Sequence, residues 1–190
     1  MEKHHRQSIR IKDFDYTSNM AYFVTICTWQ REMTLGSVVC NEMQNSDIGN
    51  IVQSLWLEIP MHHTHVETDA FTTMPNHIHG ILTFVRRGLP RQTPEQNRAP
   101  SFGHRVPGSL GSVIGQFKSA VSKQARAISK NPELQVWQRN YFEHIIRNER
   151  ELSAIREYIA FNPLNWSRDL EAKSDLELSD VSFLNLEVIL

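Results

Sequence analysis

Two hydrophobic periods alternate along this chain, and each change of period marks an element. Residues 21–29 are rich in β-branched and aromatic side chains and predict a strand. Residues 38–40 predict an edge strand or one arm of a hairpin. Asn45 or Ser46 can cap a helix whose apolar stripe is Ile48, Ile51, Val52, Leu55 and Ile59, and Pro60 is expected to end it. Residues 66–73 and 77–85 read as two strands joined tightly through Met74-Pro75-Asn76. A second helix, roughly 109–129, carries Leu110, Val113, Ile114, Phe117, Val121 and Ala125 on one face. A fourth strand region follows within 135–146. Asn148 then caps a third helix, expected to run through Phe161 and to stop at Asn162-Pro163. The order is βαββαβ plus a C-terminal helix, an α+β class of the ferredoxin-like or split-βαβ kind.

Composition changes this picture only in places. At 190 residues the chain suits one domain with a real core. No apolar run approaches a membrane span, and the polar, basic first ten residues lack the apolar stretch of a signal peptide. Cys27 and Cys40 are too few for a disulfide scaffold or a four-sulfur zinc site. A soluble, cytoplasmic, non-membrane protein is expected.

Charge is more informative in its distribution than in its total of -1. Residues 169–190 hold six acids and one base, leaving a net +4 over residues 1–168. Between Arg86 and Arg147 eleven bases face three acids. This segment is either a phosphate-contacting surface or simply a solvated basic one. It includes a polar loop, 86–108, rich in Gly and Pro, and a loop so long is usually functional or disordered. The domain is therefore placed at 1–168, with an acidic tail at 169–190.

The chemistry centres on His77-Ile78-His79. On a strand, a period of two puts both imidazoles on one face and Ile78 on the other. Two neutral imidazoles fill an apolar core poorly, because each brings two ring nitrogens that need partners. They hold a divalent metal well. On the third helix Tyr158 and Asn162 stand one turn apart, about 40° from each other around the axis, beside the stripe Leu152, Ile155 and Ile159. A phenol there is either a core aromatic with its hydroxyl at the surface or a reactive group, and Asn162 is either a helix stop or a ligand. His62, His63 and His65 follow Pro60 in a turn, where polar loop residues explain them better than a metal does. His144 reads as a satisfied core or site-lining residue, and Trp137 as a core residue or a base-stacking one.

Five segments taken together resemble one family. They are Tyr22-Phe23-Val24-Thr25-Ile26-Cys27-Thr28, Met74-Pro75-Asn76-His77-Ile78-His79-Gly80, residues 111–119, Val136-Trp137-Gln138-Arg139-Asn140-Tyr141, and Tyr158-Ile159-Ala160-Phe161-Asn162-Pro163. In this order, from about residue 9 to residue 166, they resemble the REP-associated tyrosine transposases of the single-tyrosine HUH superfamily. The resemblance implies a ferredoxin-like domain with an antiparallel central sheet. It implies His77 and His79 as the metal-binding pair, Tyr158 as the nucleophile, and Asn162 in the place of a third, polar metal ligand. The implied metal is Mg²⁺ or Mn²⁺, and the implied partner is a single-stranded DNA hairpin of a palindromic repeat, bound by a monomer. Arg86, Arg87, Arg91, Lys118, Lys123, Arg126 and Arg139, together with Arg98, are the candidates for DNA contact.

The expected activity is cleavage and strand transfer of single-stranded DNA through a 5′-phosphotyrosine. The alternative is a non-catalytic nucleic-acid-binding module of ferredoxin-like fold. A zinc hydrolase would want a third strong ligand and a general base, and neither a His-Glu-x-x-His helix nor a carboxylate beside the pair is present in the sequence.

Overall fold

A computed structural model describes residues 20–85 and 107–174, with side chains to Trp166. Arg86, Arg87, Arg91 and Arg98, and residues 175–190 of the acidic tail, lie outside the described residues.

Strand β1, Met20–Cys27, is the centre of the sheet. It is followed by a one-turn 3-10 segment, Trp29–Arg31, and by the hairpin β2, Gly36–Val39, with β3, Glu42–Asn45. Helix α1, Asp47–Leu57, starts on Ser46, whose hydroxyl accepts from the Gly49 N–H, so Ser46 and not Asn45 is the cap. Helix α2, Ile59–His62, precedes β4, Val66–Met74, and β5, His77–Phe84. Helix α3, Leu110–Ser129, is capped by Ser109. Strand β6, Phe142–Ile146, and helix α4, Glu149–Ser174, complete the described elements.

The four long strands run in the order β4-β5-β1-β6, and every neighbouring pair is antiparallel. This is the ferredoxin-like arrangement that the element order predicts. Its two faces bury different things. Tyr22, Val24, Ile26, Ile78, Leu82 and Ile145 point to α1 and α3, meeting Val52, Trp56, Val113, Phe117 and Val121 in the larger core. Phe23, Ile81 and Ile146 point the other way and meet Ile155 and Ile159 of α4. Alternation along β1 thus splits the helices, two on one face and the tyrosine helix on the other.

Two prolines act differently from the sequence expectation. Pro60 does not end α1, which already closes at Leu57; it occupies the first turn of α2, where its missing N–H costs nothing. Pro163 does not stop α4 either, because the helix continues to Ser174 and carries the first residues of the acidic tail with it. A proline removes one intrahelical bond, but Trp166, one turn further on, is buried and packs on His77. Tertiary packing of that indole keeps the helix going past its local breaker.

Candidate active site

Strand β5 delivers His77 and His79 to the α4 face of the sheet, while Ile78 enters the larger core as the period of two predicts. Gly80 follows because the Trp56 ring lies against the backbone there: an added Cβ would stand 2.3 Å from its Cζ2. The strand is thereby pressed flat on the core directly beside the pair.

Each imidazole is oriented by a residue behind it. Asn76 Oδ1, which can only accept, is 2.7 Å from His77 Nδ1, so that nitrogen carries the proton and donates it. His79 Nδ1 pairs with the Thr25 hydroxyl at 2.8 Å, its direct cross-strand neighbour on β1. With both Nδ1 positions engaged, the two Nε2 atoms converge to 3.0 Å. Nitrogen lone pairs at that spacing repel unless a cation or a proton lies between them. The two ring nitrogens thus converge on one point, with Asn76 and Thr25 behind them orienting the rings.

His79 is buried and stacks on Phe23 with ring centroids 5.3 Å apart. Burial, and then the neighbouring His77, hold its pKa well below the ordinary histidine value. A neutral imidazole is the form that ligates metal.

Helix α4 closes the site. Tyr158 places its hydroxyl 3.3 Å from His79 Nε2 and its ring edge-on to Phe23. Two turns later Trp166 sits 5.9 Å from the His77 ring. Asn162, buried to 8% exposure, lies one turn from each on the same helical stripe. The stripe Tyr158, Asn162, Trp166 therefore faces the histidine pair. Trp166 and Thr25 carried no sequence signal, since one lies past a proline and the other looks like any strand threonine.

The donor set fits a small divalent ion. It offers two imidazoles and a neutral amide oxygen, a mixture that would suit Mn²⁺ or Mg²⁺. Among the described residues no group of three or more His, Cys, Asp or Glu could hold a metal. That applies to the second histidine cluster too, as His65 Nε2 is 3.1 Å from the Gly108 carbonyl and His63 caps α2.

His144 is satisfied by buried Glu151, whose second oxygen accepts from the Arg147 N–H, and Asn148 caps the same turn. Burial raises the Glu151 pKa, but these hydrogen bonds outweigh it and hold the carboxyl below its ordinary value.

The basic candidates stand elsewhere. Lys118, Lys123, Arg126 and Arg139 line one groove between α3 and the segment 132–141, on the side of the sheet away from α4. Lys118 is not a free basic group: its Nζ donates to the carbonyls of Gln138, Arg139 and Asn140 at 2.6, 3.2 and 3.4 Å. Arg126 Nε donates to the Leu134 carbonyl at 3.0 Å. Lys123 and Arg139 are exposed. Trp137 is buried against Phe117 and serves the core.

No protein-family model matches the chain. An uncharacterised protein of Haemophilus influenzae is 41% identical over 169 residues, covering 87% of this chain and 92% of its own. A second protein of that organism, assigned in name to the REP-associated tyrosine transposases, is 26% identical over 154 residues, covering 79% and 73%. Among solved structures, a REP-associated tyrosine transposase bound to a REP hairpin superposes with a TM-score of 0.54 at 17% identity, covering 92% of this chain and 94% of that one. The chain is thus similar in sequence to a protein assigned in name to the REP-associated tyrosine transposases, and in fold to a solved one. Its mixed α/β fold with a four-stranded antiparallel sheet matches that solved structure. Among its described residues, no helix is long and apolar enough to cross a membrane.

Proposed function

We propose that this protein is a metal-dependent endonuclease and strand transferase for single-stranded DNA, acting as a cytoplasmic monomer on hairpins of palindromic repeats. One observation supports it above the others: a tyrosine hydroxyl 3.3 Å from the Nε2 of one histidine, whose own Nε2 neighbour is 3.0 Å away. His77, His79 and Asn162 would hold Mg²⁺ or Mn²⁺, which polarises a phosphate and offsets developing charge on its oxygens.

Tyr158 supplies the nucleophile. Its hydroxyl, with a pKa near ~10 in water, attacks weakly unless its proton is drawn off as the bond to phosphorus forms. Attack breaks the bond to the 3′ oxygen, releasing a 3′-hydroxyl and leaving a phosphotyrosine on the 5′ end. Attack by a second 3′-hydroxyl reverses the step on a new strand, so the bond is conserved without a nucleotide triphosphate. Phe23 holds the Tyr158 and His79 rings together, and Thr25 and Asn76 keep the imidazoles aimed at one point. The exposed bases of the α3 groove, Lys123 and Arg139, would contact the hairpin backbone, with Arg86, Arg87 and Arg91 as further candidates.

Incubation with labelled single-stranded repeat oligonucleotides and Mn²⁺, followed by a denaturing gel and intact mass, tests this. A covalent adduct is expected in the native chain and in neither Tyr158→Phe nor His77→Ala. Cleavage that persists in Tyr158→Phe would point to hydrolysis, and tight binding without cleavage would point to a non-catalytic binding module.

A further inference from the structure

Strand β4 contains an irregularity directly across from the tyrosine helix. Thr68 pairs with Leu82 and Phe71 with Gly80, so Asp69 and Ala70 together oppose the single residue Ile81. Such a bulge bends the strand and re-aims a side chain. Asp69 Oδ1 accepts from the Ala70 N–H at 2.6 Å, fixing the bulge from within. The same carboxylate meets Arg156 of α4 as a fork: Nη2 to Oδ2 at 2.7 Å, and Nε to Oδ1 and Oδ2 at 3.1 and 3.2 Å. Ala70 meanwhile packs with the small cluster that holds α4, alongside Tyr158 itself.

The physical need for such a fork is visible in that cluster. Among the described residues, Phe23, Ile81 and Ile146 of the sheet meet Ile155 and Ile159 of the helix as buried partners, with Ala21, Ala70, Phe142, Leu152 and Tyr158 packed around them. Apolar contact is not directional, so this seam needs polar ties. The His144–Glu151 bond holds the first turn of the helix and Trp166 packs on His77 beyond the site, leaving the stretch that bears Tyr158 between them. A bidentate guanidinium–carboxylate pair fixes the rotation and the height of that stretch. Arg156 stands two residues before Tyr158, so its anchor holds the same turn of the helix that carries the tyrosine.

We infer that Asp69 and Arg156 are positioning residues: the bulge aims a carboxylate that sets the placement of Tyr158 against His79. The inference rests on the reading of Tyr158 as the nucleophile only for its catalytic consequence, not for the placement itself. An ion pair this exposed adds little to global stability, whereas a reacting group displaced by about 1 Å loses on the order of a hundredfold in rate.

The test uses the full chain labelled with 3-fluorotyrosine, the Tyr158 resonance being assigned by its loss in Tyr158→Phe. Asp69→Asn and Arg156→Gln are each expected to move that resonance while leaving those of Tyr22 and Tyr141 and the melting temperature nearly unchanged. With Mn²⁺ and a repeat hairpin, single-turnover adduct formation is expected to slow about tenfold or more, with no change in hairpin Kd. Arg156 Nη1 also lies 3.6 Å from the exposed Glu149 carboxylate, so the double variant should be no slower than Arg156→Gln, as required if Asp69 acts only through Arg156. Arg156→Lys keeps the charge but not the fork, and is expected to behave like Arg156→Gln.

An unmoved Tyr158 resonance in both single variants would overturn the proposal. So would additive losses in the double variant, or full rescue by Arg156→Lys. A resonance that moves in a protein forming no adduct at all upholds the positioning role and rejects the nucleophile.

Discussion

Tyr158, His79 and Thr25 form a short relay of contacts, from a helix to one strand and on to the next. Their geometry depends on His79 being neutral, and its burial makes the charged form costly. That burial has a consequence for stability. The unfolded chain binds a proton on this residue near its ordinary pKa of about 6.5, while the folded chain resists it. The unfolded state therefore gains protons first as the solution is acidified, and folding stability falls with decreasing pH below that value. His63, also lowered by burial and by its histidine neighbours, adds to the same trend. In chelator-treated protein, the melting temperature is expected to drop from about pH 7 to about pH 5, and to drop less in His79→Asn. Equal losses in the two proteins would show that His79 protonates freely in the folded state.

At the scale of elements, β5 and α4 each break a local rule for the sake of the site. Glycine weakens a strand, yet Gly80 follows His79 because the Trp56 ring occupies the space a side chain would need. Gly80→Ala must push either that fully buried ring or the strand, so a loss of about 1–3 kcal/mol is expected in denaturant unfolding. Unchanged stability would mean that the ring gives way without cost. In α4, Pro163 sits within the helix, and Trp166 beyond it reaches His77. The helix could have ended at Pro163 and still presented Tyr158. Its continuation is what covers the second histidine.

Taken whole, the molecule keeps its basic groove and its histidine pair on different sides of the sheet, joined around one end of β1. There the Thr28 N–H donates to the Asn76 carbonyl, beside the pair, while the Trp29 N–H donates to Val136 and the Gln138 N–H to Cys27, along the groove. A nucleic acid lying on α3 would reach the tyrosine by passing that end. Exposed Lys123 and Arg139 should contribute mainly backbone attraction, and Lys123→Gln and Arg139→Gln are each expected to weaken hairpin binding and to lower its salt slope by about one. Affinity and slope left unchanged in both variants would remove the groove from the DNA interface. Lys118 keeps its charge in the same groove while its ammonium also ties α3 to three carbonyls of the neighbouring loop.

What the sequence determined by itself was whatever repeats with a short period or caps an end. Alternation placed Ile78 in the core and both histidines opposite it, and the pair Asn45 or Ser46 and then Asn148 announced two helix starts through their hydroxyl or amide oxygens. A spacing of four residues, about one helical turn, put Asn162 beside Tyr158. Only the tertiary structure decided which strand threonine would turn an imidazole, because Thr25 and His79 are 54 residues apart and meet through strand register. Only packing carried α4 past Pro163, and only a bulge, which leaves no periodic trace, brought Asp69 to Arg156 across 87 residues. Local steric and capping rules act within a turn or two of the chain. The groups that aim this site come from distant segments, and sequence spacing holds no record of which distant segments will touch.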